Sequence, residues 1–390
     1  MTRRSLTVAV LLLGMLASAG CDHHSSAPDP LRPDWHEVSL PMPAGPPGRL
    51  AVRDAATCDG RWFLVGAVIG AGGASRPAAW SSDDAHTWRS MTLAPRTYYA
   101  RRAVLSSVAC RGDRIAAVGA RSGGAHGNPR VTSWYQRSDG ALVDMTAAFE
   151  LYGGPDAISV RHVAGGPDGW LIAGNRLSGA AVWFSRDATD FRLIDRDPAL
   201  SSDDTHRTSA LDQVHDGNRW TVVGRVEVPG RIDPTTLAWT SPDGVAWTRQ
   251  PVPSGTDGFA DLERVVRDGD DLVAVGVRDR RFGVWRRSGD RWSAGGAFGS
   301  FAHGTTGPAY VTGLAVHADA MVAAVSDGAR YRVWGDVGPG RWREVAVPTR
   351  PRASGDTQLT VVGGDSDLVL LSDDGASGRV WVAGWNTLGR

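Results

Sequence analysis

From Trp35 onward two short hydrophobic patterns alternate along the chain, and the pair recurs about every fifty residues. The first is a tight turn followed by a nearly unbroken apolar run. It reads Asp59-Gly60-Arg61-Trp62-Phe63-Leu64-Val65-Gly66, then recurs from Arg111 to Gly119, Asp168 to Gly174, Asp216 to Gly224 and Asp268 to Gly276. Weaker copies stand at Ala318 to Val325 and Asp365 to Leu371, which makes seven. Gly accepts the positive φ of a two-residue hairpin, so each Asp-Gly or Gly-Asp step between apolar runs predicts a turn joining two strands. The run after the turn lacks polar alternation, as expected of a strand covered on both faces.

The second pattern is an aromatic residue, a short polar hairpin and another aromatic. Trp80 to Trp88, Trp183 to Phe191 and Trp239 to Trp247 are the best copies; Trp285 to Trp292 and Trp334 to Trp342 are looser, and Trp134 to Val143 is degenerate. Together the two patterns predict four strands per unit, the size of one propeller blade. Six units close at Trp88, Val143, Phe191, Trp247, Trp292 and Trp342, but the seventh, roughly residues 357 to 385, runs out before its outer strand. Trp35-His36-Glu37-Val38-Ser39-Leu40-Pro41 is similar to Trp342-Arg343-Glu344-Val345-Ala346-Val347-Pro348. The expectation is an all-β, seven-bladed β-propeller over residues 35–390 whose N-terminal strand completes the C-terminal blade. Such closure covers two sheet edges that would otherwise template aggregation.

The first 34 residues do not share these patterns. Arg3 and Arg4 precede an apolar run from Leu6 to Leu16, too short to cross a bilayer, and small residues then lead to Cys21. This arrangement resembles the lipobox of bacterial lipoproteins, although Ser18 stands where that family usually has Leu. The resemblance implies a signal peptide over 1–20, a lipidated Cys21, and an extracytoplasmic protein anchored to the cell membrane. Residues 21–34 read as a polar, Pro-punctuated tether in which His23 and His24 are solvated rather than metal-binding.

Charge excludes some partners. The 42 basic and 42 acidic residues cancel, so no global field points to nucleic acid or an anionic membrane. Every basic residue is Arg, which fits a high-GC bacterial genome.

Ser82/Asp84/Trp88, Ser185/Asp187/Phe191 and Ser241/Asp243/Trp247 resemble the Asp-box, or BNR repeat, of sialidase-like propellers. The resemblance implies that these residues are structural, satisfying the amides of the third-to-fourth-strand hairpin. Sialidases of that group carry an Arg triad, an Arg-Ile-Pro segment, a Tyr–Glu pair and an Asp acid/base. This sequence has no Arg-Ile-Pro, and Tyr98, Tyr99, Tyr152 and Tyr310 have no Glu pattern beside them; Glu150 near Tyr152 comes closest. Metalloprotease, phosphate-loop and nucleophile-elbow motifs are also missing from the sequence.

Cys58 and Cys110 end equivalent strands of successive blades, so a disulfide between blades 1 and 2 is expected, with two buried thiols as the alternative. Ligands are expected on the face built from inter-blade loops. These include 95–102, 149–156, 195–207, 257–263 and 297–310, together with the Gly-rich loop 120–130. Arg96, Tyr98, Tyr99, Arg101 and Arg102 form the preferred ligand cluster. The favoured function is a monomeric, tethered, non-catalytic binding or scaffold module for a protein or cell-envelope glycan, with no cofactor and no metal. The alternative is a divergent glycosidase using carboxylates among Glu150, Asp156, Asp261 and Glu263, which would have to converge at about 5–10 Å.

Overall fold

The computed structural model describes residues 28–123, 129–301, 307–318 and 320–388. The leader, Cys21, the His23–His24 pair and parts of loops 120–130 and 297–310 lie outside the described residues. Seven four-stranded antiparallel sheets form a closed ring of blades. Blade 1 runs outward from Arg49–Cys58 through Arg61–Ile69 and Ser75–Ser82 to Trp88–Ser90. The innermost strands of blades 2 to 6 are Val104–Arg111, Ala157–Gly166, Arg207–His215, Arg264–Asp268 and Ala309–His317. Blade 7 holds Gln358–Gly363, Asp367–Asp373 and Gly378–Gly384, and its outermost strand is His36–Val38 from the other end of the chain. Val38 pairs with Val380 and His36 with Val382, while Trp35 donates its indole N–H to Ala346 O at 2.9 Å.

The hydrophobic core is a set of layers between blades. Val52, Leu64 and Trp80 of blade 1, for example, pack on Val369, Leu371 and Val380 of blade 7. Second strands serve two such layers, which is why Gly169–Arg176 is buried throughout. Third-strand tryptophans also fix the incoming loops. Trp80, Trp183, Trp239 and Trp285 donate their indole N–H groups to the carbonyls of Pro41, Leu151, Ala199 and Pro253 at 2.7–2.8 Å.

The glycine that ends each strong turn-and-run repeat has a steric cause. Innermost strands carry a bulge, at Val52/Asp54 in blade 1 and Ala210/Asp212 in blade 4. The second strand presses against it: a Cβ on Gly66 would stand 1.9 Å from Ala51 O, and one on Gly224 the same distance from Ser209 O.

Polar side chains of the innermost strands clamp each blade to the next. Asp54 accepts the Val108 N–H at 2.9 Å, Ser107 the Val163 N–H at 3.1 Å and Asp212 the Val265 N–H at 3.0 Å. Glu263 accepts the Val311 N–H. Gln213 donates to His162 O, Thr360 to Thr312 O and Gln358 to Arg53 O, so all seven junctions are bridged. Cys58 and Cys110 form a disulfide, with Cα atoms 6.0 Å apart, that adds a covalent tie between blades 1 and 2.

At the third-to-fourth-strand hairpins the Ser and Asp side chains turn inward on the backbone. Asp84 Oδ1 accepts the His86 and Thr87 amides, Asp187 Oδ1 the Thr189 amide, and Asp243 Oδ1 the Val245 and Ala246 amides. Trp88, Phe191 and Trp247 are buried beside them. The described chain begins on this hairpin face, where Arg343 holds Asp29 O and Leu31 bridges to Val345. The opposite face carries the inter-blade loops.

Candidate ligand site at the channel mouth

On the loop face, blades 3 to 7 enclose a cavity of about 630 Å³ at the mouth of the central channel. Its polar wall comes from innermost strands and the residue leading into one of them: Arg161-His162 in blade 3, Glu263-Arg264 at the start of the blade 5 strand and Thr312 in blade 6. Arg225 enters from the second strand of blade 4, and Tyr331 from the third strand of blade 6.

Two charged groups here are internally neutralised. Arg264 donates to His162 Nδ1 at 2.7 Å and to Thr312 O at 3.1 Å, and Asp212 stands 3.4 Å from the same imidazole nitrogen. Burial, then Arg264, holds the His162 pKa below its ordinary value, so the ring is neutral.

Asp261 and Glu263 share the cavity. Burial raises both pKa values, and the Asp261 charge adds to the rise at Glu263, which goes well above the usual range. Asp261 has better compensation: Oδ1 accepts the Val277 N–H and Oδ2 lies 3.4 Å from Arg225. Of this coupled pair, Glu263 is the member pushed further toward its protonated form. Tyr310 donates to or accepts from Tyr331 at 3.1 Å; burial, with Tyr331 and Glu263 beside it, pushes its phenol up.

Other groups are left wanting a partner. Arg161 makes no hydrogen bond or ion pair with any described residue, and burial followed by Arg264 lowers its pKa. Arg225 Nε and Thr312 Oγ1 are buried without hydrogen-bond partners among the described residues. Buried polar atoms are ordinarily satisfied, so these two, beside the exposed and unpaired Arg161 guanidinium, single out this cavity as the candidate ligand site. Clefts of about 770 and 710 Å³ open on the outer wall around Trp342, but Arg332 there is already paired with Asp327 and Glu344.

Of the four carboxylates from which a catalytic pair was expected, the structure brings two to one cavity. Asp261 and Glu263 line the mouth, whereas Glu150 is exposed on the helical turn Phe149–Tyr152 and half-buried Asp156 follows it on the rim. The cause is local packing: that turn lies against Arg130–Thr132 of blade 2, which keeps it away from the channel. Arg96, Tyr98, Tyr99, Arg101 and Arg102 do sit together on the loop face, held by Asp144, which accepts the Arg96 and Thr97 amides. They occupy the rim and do not line the mouth cavity. The large exposed apolar side chains among the described residues, including Tyr98, Phe149, Ile158, Leu177 and Ile232, all lie on this face.

Sequence reasoning missed Arg161, His162, Arg225, Arg264, Thr312 and Tyr331. A signal existed: aligning the repeats on the glycine that ends each apolar run (Gly66, Gly174, Gly224 and Gly276) places Arg53-Asp54, Arg161-His162, Leu211-Asp212 and Glu263-Arg264 at one position of the first strand.

The site belongs to a seven-bladed β-propeller with an arginine-lined channel mouth. No protein-family model matches the chain, and no curated protein does. Among solved structures, the β-propeller domain of the Trilobed protease from Pyrococcus furiosus superposes with a TM-score of 0.50 at 10% identity, over 85% of this chain and 93% of that one. YCF48 bound to D1 peptide gives 0.49 at 12%, over 90% and 96%. Trypanosoma rangeli sialidase gives 0.45 at 11%, over 91% and 60%. At these identities the likeness is one of fold alone.

Proposed function

We propose that this protein is a tethered, extracytoplasmic recognition module that holds a carboxylate-bearing glycan at the channel mouth. One observation carries the reading: among the described residues, Arg161, Arg225 Nε and Thr312 Oγ1 all lack partners around one cavity. A guanidinium fork matches a carboxylate in a bidentate pair, and a cavity of about 630 Å³ lies within the ordinary range for small-ligand sites. Glu263, in its protonated form, and Tyr310 offer polar groups to sugar hydroxyls. Anchoring rests on the leader and Cys21. Because the chain enters on the hairpin face, a lipid there would turn the mouth away from the membrane, on a tether of at most about 25 Å from Cys21 to Pro28.

A second reading, glycoside hydrolysis, is favoured by the Asp261–Glu263 pair. A protonated carboxyl beside an ionised one is the equipment of acid and base or nucleophile catalysis. Against it, both Asp261 oxygens are engaged, and Glu263 also clamps Val311.

Calorimetric titration of the purified protein with glucuronate and galacturonate oligosaccharides, alongside their neutral counterparts, tests both. Binding of the acidic series, weakened at least tenfold in Arg161→Ala and with no release of reducing ends, supports recognition. Release of reducing ends that stops in Glu263→Gln would establish the hydrolase instead.

A further inference from the structure

We propose that a second site on the rim, across blades 1 to 3, binds an acidic polypeptide segment that carries an apolar anchor residue. Five arginines gather there: Arg96, Arg101, Arg102, Arg121 and Arg130. None lies within ion-pair distance of a carboxylate among the described residues. In a chain whose charges sum to +0, this is a local, uncompensated cationic surface.

Aromatic residues hold the guanidinium groups in place. Arg102 stacks 4.1 Å from the Tyr98 ring centre and Arg130 4.4 Å from that of Phe149, while Arg121 donates to the Tyr98 hydroxyl at 3.0 Å. Tyr98 meets Tyr99 edge-on at 5.3 Å. Stacking of this kind keeps N–H edges free for carboxylates. It also covers the ring faces on which a sugar would stack.

Beside the arginines is a pocket of about 170 Å³ walled by Val131, Met145, Ala148, Phe149 and Tyr152. Its size and lining suit one aliphatic or aromatic side chain. Arg130 Nε, on its edge, is buried and has no partner among the described residues. An acidic peptide with one large apolar residue supplies both the charge and the anchor, whereas an acidic glycan supplies only the charge.

The test is fluorescence anisotropy with a labelled twelve-residue peptide containing alternating Glu and a single central Phe, on the purified protein. Saturable binding is expected, weakened at least tenfold when Phe becomes Ser in the peptide. The Arg101→Glu/Arg102→Glu double variant should weaken it equally. Arg101 is exposed and Arg102 half-buried, and an unchanged melting curve shows that this variant folds. Arg161→Ala at the mouth should leave peptide binding unchanged, which separates this site from the glycan reading. An absence of saturable binding, or equal binding of the Phe and Ser peptides, would overturn the proposal. So would displacement of the peptide by polygalacturonate at equal charge concentration.

Discussion

Arg264 Nη1 donates to His162 Nδ1 at 2.7 Å and so joins the innermost strands of blades 5 and 3, 102 residues apart. Arginine has no lone pair to offer, so Nδ1 is the acceptor and the proton sits on Nε2. The bond requires a neutral imidazole, and burial and the guanidinium charge both favour one.

A titration follows directly. In NMR spectra of the ring nitrogens, His162 should remain in the Nε2–H form below the ordinary histidine pKa. Arg264→Met should raise its pKa, because Asp212 would then face the ring without a competing cation. A His162 that titrates normally in the wild type would contradict the geometry.

Asp54 gives a pH dependence of stability. Burial raises its pKa to about 6 in the fold, against 3.8 for a free aspartate side chain. Between those values the folded state holds more protons than the unfolded state, so stability rises as pH falls through 6. Asp54→Asn lacks this response. The wild type's advantage over the variant in urea melts should grow by about 1 kcal/mol from about pH 7 to about pH 5. A constant advantage would mean that Asp54 is not buried as described.

Two glycines of the same repeat should respond differently to alanine. Gly60, at φ 76° with open space around it, needs only its backbone freedom, so Gly60→Ala should cost about 1–2 kcal/mol. Gly66→Ala drives a methyl into Ala51 O and should cost about 3 kcal/mol or more. Equal costs in denaturant melts would rule out the bulge contact as the reason for the repeated glycine.

Ring closure makes a further prediction. A chain that starts after Pro41 loses His36–Val38 and exposes the edge of Gly378–Gly384, together with the bond from Trp35 to Ala346. It should melt earlier and associate on light scattering, while a chain starting at Pro28 should not. An unchanged monomer after the larger deletion would show that the shared blade adds nothing to stability.

The blades were legible in the sequence because they rest on local chemistry. Asp59-Gly60 specifies a turn whatever surrounds it, and the run from Trp62 to Val65 is apolar because two layers cover it. The likeness of 35–41 to 342–348 revealed the closure. The mouth was not legible, because its parts converge only in space. Arg161, Arg225 and Thr312 come from blades 3, 4 and 6, and Glu150 and Asp156 resembled Asp261 and Glu263 until packing separated them. The rim cluster was visible because Arg96 to Arg102 share one loop, but its pocket, built from Val131, Met145 and Phe149, was not.

The most direct measurement is the affinity of galacturonate oligosaccharides for wild type and Arg161→Ala, read by calorimetry beside neutral galactose oligosaccharides. Saturable binding of the acidic series, lost with Arg161 and absent for the neutral series, is the predicted result. Equal binding of the two series, or an Arg161→Ala variant that binds as the wild type does, would contradict a carboxylate site at the channel mouth.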